Sequence, residues 1–166
     1  MTEQDIAAKV TEIAIAGGGH LAFPVIATIH GETLHNHYHG NTVKSGDLFL
    51  LDTGAETASG YAGDLTSTFP VDRTFTNRQR DVYQIVLDAH LAAVAAVRPG
   101  RPFKEIHLLA CRTLAEGLKG LGLMKGDLDA AVHEGAHAMF FQCGLGHMMG
   151  MDVHDMENLG RSEEHT

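Results

Sequence analysis

LFLLDTGAETASGYAGDLTSTFPV, residues 48–71, is the segment from which the fold of this chain is best predicted. Two apolar runs flank a loop with Gly and Ser, a pattern typical of a β-hairpin. Asp52 closes the first strand and Asp64 opens the second, with the midpoint at Ala58 in the loop. A symmetric hairpin therefore places the aspartates almost opposite each other, with Cβ atoms about 4.5–5.5 Å apart. Because facing like charges destabilise a sheet, the pair indicates a bound metal ion.

Composition and charge narrow the class of protein. A chain of 166 residues is long enough for one domain with a core. The net charge of -9, without a Lys/Arg cluster, argues against a nucleic-acid partner. Two cysteines, Cys111 and Cys143, make no disulfide framework, so we expect a reduced, cytoplasmic setting. The first residues do not resemble a signal peptide, and no apolar run approaches the roughly 20 residues of a membrane span.

The apolar periodicity predicts helices and strands along the whole chain. Helices are expected over residues 2–16, capped by Thr2, and over residues 77–97, 103–121 and 127–136. Strands are expected over residues 21–29, on both sides of the hairpin, and over residues 139–141. This order is typical of an α+β domain with helices on one face of an antiparallel sheet.

Three side chains are candidate metal ligands: Asp52, Asp64 and His147. Carboxylates combined with an imidazole suit manganese, zinc, cobalt or iron. Carboxylates can also bridge two metal ions about 3.5–4 Å apart, as in aminopeptidases. Glycines on both sides of His147 permit close approach of a substrate. The alternative for each residue taken alone is a turn aspartate or a solvated histidine, and the joint arrangement carries the metal hypothesis.

A second pattern, HEGAH at residues 133–137, formally matches the His-Glu-x-x-His motif of zinc peptidases. Its Gly-Ala interior and the lack of a third ligand nearby favour a surface helix. We therefore interpret the match as fortuitous.

Three stretches resemble a known family: LHNHYHGN (34–41), the hairpin segment (48–71) and GLGHMMGMDVHD (144–155). Together they resemble the pita-bread metallopeptidases, which comprise methionine aminopeptidases, Xaa-Pro aminopeptidases and prolidases. Tyr-Ala-Gly-Asp followed by Thr-x-Thr-Phe-Pro, and the later Asp-Val-His-Asp, look like the Xaa-Pro branch. The resemblance covers residues 2–160. It implies the pita-bread (creatinase/aminopeptidase-like) fold of two similar halves, with an antiparallel sheet, helices on one face and an incomplete second half here.

The resemblance also implies roles for individual residues. Asp52, Asp64 and His147 look like the first three ligands of a dinuclear centre that the family builds from Asp, Asp, His, Glu and Glu. His37 resembles the histidine that lines the substrate pocket. His154 resembles the histidine that contacts the scissile region, which makes it a catalytic and substrate-binding candidate.

Three further positions receive no role from the resemblance. Family members often have a histidine where Cys143 stands, so nothing carries over to that position. His35 and His39 are expected to be solvated loop histidines.

The implied activity is metal-assisted hydrolysis of the N-terminal Xaa-Pro peptide bond. Two divalent ions, manganese favoured over zinc, cobalt or iron, would activate a water for which a glutamate is the general base. The substrates would be peptides with proline at the second position, and the intact enzyme could assemble as a homo-oligomer. An Xaa-Pro dipeptidase (prolidase) and a non-catalytic peptide- or protein-binding module on the same fold are the alternatives.

The end of the chain carries a separate expectation. The family's two glutamate ligands follow the Asp-Val-His-Asp segment, whereas Glu157 is too close to it and Glu163 and Glu164 lack a strand pattern. We therefore expect residues 1–160 to be a partial catalytic domain with negligible peptidase activity of its own. RSEEHT, residues 161–166, matches a translation of the sequencing adapter AGATCGGAAGAGCACACG, so we expect a non-native tail.

Overall fold

A computed structural model of the chain describes residues 1–156. These residues fall into two compact units, one formed by residues 1–75 and 147–156 and the other by residues 76–146. The expectations for residues 157–166, including Glu157, Glu163, Glu164 and the adapter-like tail, lie outside the described residues. No helix within residues 1–156 is long and apolar enough to cross a membrane.

The first unit begins with helix α1, Glu3–Ala16, which starts at the predicted cap. The Thr2 hydroxyl accepts a hydrogen bond from the Asp5 amide, and the Asp5 carboxylate accepts one from the Thr2 amide. This reciprocal pair satisfies two amides at the start of the helix. Ala7 of α1 belongs to the same buried cluster as Val25, Ala27 and Phe49 of the sheet region.

The sheet of the first unit has three antiparallel strands in the order β1, β2, β3. They are β1 Ile26–Thr28, β2 Leu48–Thr53 and β3 Leu65–Pro70. The first strand is shorter than predicted, and Leu21 instead makes an isolated bridge with Ala55. The hairpin of β2 and β3 is confirmed.

The register of the hairpin differs from the symmetric one that was predicted. Asp52 lies opposite Thr66, and Asp64 precedes β3 instead of facing Asp52. The chain segments that follow β2 and precede β3 stay close together beyond the paired residues. The Gly63 amide donates a hydrogen bond to the Ala55 carbonyl at 3.0 Å. A side chain at Gly54 would collide with the Gly63 backbone, so this close approach requires glycine.

Glu3 joins α1 to the sheet although its side chain is fully buried. Its carboxylate accepts hydrogen bonds from the Thr28 hydroxyl, the Ile29 amide, and the backbone and side-chain amides of Asn41. Burial alone would raise the pKa of Glu3, but these hydrogen bonds outweigh it and the net pKa is lowered. A buried carboxylate is thus kept ionised by donors from two other segments.

The second unit is helical, as predicted. It contains α2 Asn77–Ala96, α3 Phe103–Gly120, α4 Leu128–His133 and a 3-10 helix, Ala136–Met139. Alanines of α2 share a buried cluster with Ile106 and an alanine of α3. Its members are Ala93, Ala96, Ile106 and Ala110.

Two predictions for the end of this unit are wrong. The helix predicted over residues 127–136 ends at His133, because Gly135 adopts a left-handed conformation. The strand predicted over residues 139–141 does not form. Met139 ends the 3-10 helix, and the Phe141 ring packs 5.5 Å, centroid to centroid, from His107.

Candidate metal centre

Asp52 occupies a half-buried position on β2. Its Oδ1 accepts a hydrogen bond from the Thr66 hydroxyl of the neighbouring strand at 2.8 Å. Burial raises the pKa of Asp52, and the nearby Asp64 carboxylate adds to the rise, whereas the Thr66 bond and His35 oppose it. The two aspartates are therefore close enough to repel each other, although they are not cross-strand partners. A cation would relieve that repulsion.

Asp64 pairs with His147 across the fold of the first unit. His147 Nε2 lies 3.2 Å from Asp64 Oδ2, while His147 Nδ1 lies 2.9 Å from the Met148 carbonyl oxygen. A carbonyl only accepts, so Nδ1 carries a proton and donates it. In a neutral ring, Nε2 then presents a lone pair to an anionic oxygen. A stable contact requires either a second proton on the ring or a cation between the two atoms.

The spacing of this contact suits a metal ion. Nitrogen and oxygen ligands lie about 2.0–2.2 Å from a first-row ion, which puts neighbouring ligand atoms roughly 3 Å apart. The 3.2 Å between His147 Nε2 and Asp64 Oδ2 agrees with that value. The backbone carbonyl on Nδ1 would orient the ring, as the outer partners of metal-bound histidines do.

The segment after His147 is attached to the hairpin. The Ala62 amide in the hairpin loop donates to the Gly150 carbonyl at 2.8 Å, and the Asp155 amide donates to the Met148 carbonyl at 3.1 Å. A side chain at Gly150 would collide with the Asp155 carboxylate. This folding brings the His154 ring edge-on to His147, with centroids 4.2 Å apart. His154 thus lies beside the Asp64–His147 pair.

The loop histidines are arranged differently from the expectation. His35 is exposed, and it lines a cavity of about 120 Å³ together with Asp52 and Thr66. His37 is exposed and is not among the residues lining that cavity, so its substrate role stays a prediction. His39 is half-buried, with Nε2 3.0 Å from the Val25 carbonyl oxygen, and is not a solvated histidine. The alternation of His35, His37 and His39 in an irregular loop gives no sequence signal for which one faces Asp52.

A tighter group of candidate ligands lies in the second unit. Among residues 1–156, only His107, Cys111 and His137 form a set of three with all donor atoms within 4.8 Å of one another. The donor atoms of Asp52, Asp64 and His147 are more widely spread. A dinuclear centre distributes its ligands over two ions, so a wider arrangement is compatible with it.

The second group was missed by sequence reasoning. Burial raises the pKa of the Cys111 thiol to about 11, and burial together with the neighbouring His137 lowers the pKa of His107. Only His137 of the HEGAH string takes part, because Gly135 ends the helix between His133 and His137. The one available signal was the spacing of four between His107 and Cys111, which puts both on one helix face.

Comparison with known proteins gives a consistent result. The sequence pattern of metallopeptidase family M24 matches residues 1–166. An Xaa-Pro aminopeptidase of Haemophilus influenzae is 39% identical over 131 residues, which cover 79% of this chain and 30% of the relative. An Xaa-Pro aminopeptidase of Escherichia coli is 42% identical over 127 residues, covering 75% and 29%. The chain thus spans about a third or less of the length of the curated relatives it matches.

Solved structures agree with the sequence comparison. Proline aminopeptidase P II from Yersinia pestis superposes with a TM-score of 0.93 at 37% identity, covering 100% of this chain and 38% of that one. A zinc-substituted Escherichia coli aminopeptidase P in complex with product superposes with a TM-score of 0.92 at 34% identity, covering 100% and 38%. The predicted fold class and the Xaa-Pro branch are confirmed. The chain belongs to metallopeptidase family M24 and has part of its pita-bread fold, a small antiparallel sheet with helices.

Proposed function

We propose that this chain is part of a metal-dependent aminopeptidase that hydrolyses the N-terminal Xaa-Pro peptide bond. Membership of the M24 metallopeptidases and the Xaa-Pro aminopeptidase names of similar proteins support this proposal. Among the described residues, Asp52, Asp64 and His147 would hold the metal. The favoured ion is manganese, two ions per intact site, with zinc, cobalt or iron as alternatives. The reduced state of Cys111 and Cys143 favours a cytoplasmic location.

One observation carries the metal-binding part of the proposal. His147 uses Nδ1 to donate to the Met148 carbonyl, and its Nε2 faces Asp64 Oδ2 at 3.2 Å. Asp52 adds a second carboxylate whose pKa is raised by burial first and by Asp64 second. Two acidic groups and an imidazole nitrogen thus surround a place where positive charge is favourable. A purely structural ion pair would explain the Asp64–His147 contact but not the third group, Asp52.

The bound metal ions would supply an activated water and a Lewis acid for the peptide carbonyl. The residues of this chain would perform the remaining tasks. Thr66 fixes the carboxylate of Asp52 through its hydroxyl, and Met148 fixes the ring of His147. His154, edge-on to His147, would donate a hydrogen bond to the substrate near the scissile bond. His37 is kept as a substrate-pocket candidate, and His35 joins it because it lines the Asp52 cavity.

Manganese binding by the purified 166-residue chain tests the site directly. The electron paramagnetic resonance signal of free Mn²⁺ is expected to decrease on addition of the chain. Asp64→Asn should weaken binding at least tenfold, because it removes a carboxylate that faces His147. Asp88→Asn is the matched control, since Asp88 is an exposed helical aspartate that accepts a bond from Gln84. A signal unchanged by the wild-type chain, or equal binding by both variants, would contradict the assignment.

Hydrolysis separates the enzymatic proposal from its alternatives. We expect this chain alone to release negligible amounts of the first residue from a tripeptide with proline at the second position. The reason is that the family's metal site also uses two glutamate ligands, and no glutamate of this chain is assigned to that role. A longer protein that includes such glutamates should cleave the tripeptide with manganese. If the longer protein cleaves an Xaa-Pro dipeptide but not the tripeptide, prolidase is favoured. Manganese binding without cleavage of either peptide would favour the binding module.

A further inference from the structure

The second unit contains a group of side chains that the proposed peptidase does not use. His107 and Cys111 are four residues apart on α3 and therefore share one face. His137 comes from the 3-10 helix, and its ring lies edge-on to His107 with centroids 6.3 Å apart. The donor atoms of all three lie within 4.8 Å of one another. We refer to these three residues as the His-Cys-His cluster.

The spacing of the cluster fits a tetrahedral ion. With Zn–N near 2.0–2.1 Å and Zn–S near 2.3 Å, the nitrogen and sulfur ligands of one tetrahedral site lie about 3.6 Å apart. His107 Nε2 and Cys111 Sγ are 3.4 Å apart. The third donor, from His137, lies within 4.8 Å of both. Two imidazoles and one thiolate are ligands that suit zinc, and the soft sulfur disfavours manganese or magnesium.

Unpartnered nitrogen atoms provide a second, independent observation. The Nδ1 atoms of His107 and His137 are both buried and have no hydrogen-bond partner. Buried polar atoms are rarely left unpaired, because burial without a hydrogen bond costs free energy, and a bound ion is one explanation for such an atom. His107 faces Cys111 with its other nitrogen, Nε2, so an ion beside Cys111 would account for the unpartnered Nδ1 of His137 and not for that of His107. The orphaned nitrogen of His137 is the one that indicates a missing ligand in the cluster.

A cavity gives an ion access to the cluster. It has a volume of about 360 Å³ and is lined by His107 and His137, with His133 and Cys143 also in its wall. Cys111 itself has no exposed surface, so an ion would enter from the cavity side. The cavity leaves room for a water or a fourth side chain on the ion.

We propose that His107, Cys111 and His137 bind one zinc-class divalent ion at a site separate from Asp52, Asp64 and His147. The Cys111 thiol loses its proton to solvent as the sulfur–metal bond forms. The ion would strengthen the contact between α3 and the 3-10 helix, which pack against each other through His107, His137 and Phe141. Its function is structural in the first place, with the cavity side of the ion open to an exchangeable ligand.

Cobalt and zinc binding to the full chain test this site. Co²⁺ bound to the chain should produce a thiolate-to-cobalt charge-transfer band in the near ultraviolet. One equivalent of Zn²⁺ should displace the cobalt and remove the band. Cys111→Ser should abolish the band, whereas the matched variant Cys143→Ser should retain it. Zn²⁺ affinity can be measured by competition with a metal chelator. In that measurement His137→Ala should weaken Zn²⁺ binding at least tenfold. A rise in melting temperature with Zn²⁺ is expected for wild type and not for His137→Ala.

The outcomes decide the proposal even if one variant does not fold. Cys111 is fully buried, so circular dichroism must first show that Cys111→Ser is folded. If it is not, His137→Ala decides, because His137 lies on a short 3-10 helix without buried residues. A band that survives in folded Cys111→Ser, a band lost in Cys143→Ser alone, or unchanged Zn²⁺ affinity in His137→Ala would overturn the assignment.

Discussion

The two candidate metal sites of this chain differ in chemistry and in how the chain builds them. The hairpin site offers two carboxylates and an imidazole, with His147 and Asp64 both partly exposed. The His-Cys-His cluster offers nitrogen and sulfur, and its cysteine is fully buried. Oxygen-rich, accessible ligands suit ions that exchange water and substrate, whereas a buried thiolate suits an ion that stays. This contrast is the one expected for the catalytic site proposed in one unit and the structural site proposed in the other.

The largest expected effect comes from removing each site in turn. Asp52→Asn with Asp64→Asn should lower Mn²⁺ affinity at least about a hundredfold, because two ligands lose their charge. The same variant should keep the cobalt–thiolate band at full intensity. The double variant His107→Ala with His137→Ala should lose the cobalt–thiolate band and keep its Mn²⁺ affinity. Loss of both signals in either double variant, with the fold intact by circular dichroism, would show that the two sites are not separate.

The two sites also differ in how far the sequence predicts them. Asp52, Asp64 and His147 stand in long ordered motifs, and each can be selected from its neighbours in the sequence. Their elements follow from local rules: the Thr2 cap starts α1, and β2 and β3 follow the apolar runs of the hairpin. The register was missed by two residues because it depends on the close approach of Gly54 to Gly63, which no local pattern shows.

The His-Cys-His cluster could not be predicted in the same way. His137 is 26 residues from Cys111, and only the packing of the 3-10 helix brings it to α3. A strand was predicted over residues 139–141, but Phe141 packs against His107 instead. Gly135 changes the direction of the chain there because it adopts a positive φ of 73°. Contacts of this kind require the tertiary structure.

Stability provides the next comparison, between a buried and an exposed glutamate of helix α1. Glu3→Gln should lower the free energy of unfolding by about 2–4 kcal/mol, because four donors lose an ionised, buried acceptor. Glu12→Gln, on the same helix in an exposed pair with Lys9, should change it by less than about 1 kcal/mol. Urea unfolding followed by circular dichroism measures both. Equal effects of the two substitutions would contradict the role of Glu3.

The same carboxylate predicts a pH dependence. The pKa of Glu3 is lowered from its ordinary value of 4.5, so its stabilising contribution is complete above 4.5 and is lost as pH falls through the folded-state pKa. The difference in unfolding free energy between wild type and Glu3→Gln should therefore shrink on acidification. Urea unfolding at a series of pH values from neutral to acidic checks this. A difference that stays constant over the whole range would contradict it.

Neutralising Asp52 should change the free energy of unfolding in the opposite direction from neutralising Glu3, and by the smallest amount. Its pKa is raised by burial and by Asp64, so the ionised carboxylate destabilises the metal-free fold above its unfolded-state pKa. Asp52→Asn keeps an acceptor for the Thr66 hydroxyl and removes the charge. In chelator at neutral pH it should therefore raise the unfolding free energy by less than about 1 kcal/mol, while it weakens Mn²⁺ binding. Asp47→Asn is the control at the other end of the strand, because the Asp47 carboxylate is exposed and accepts the Lys44 amide in a turn away from Asp64. A lower melting temperature for Asp52→Asn than for wild type would mean that the carboxylate is held for the fold and not for an ion.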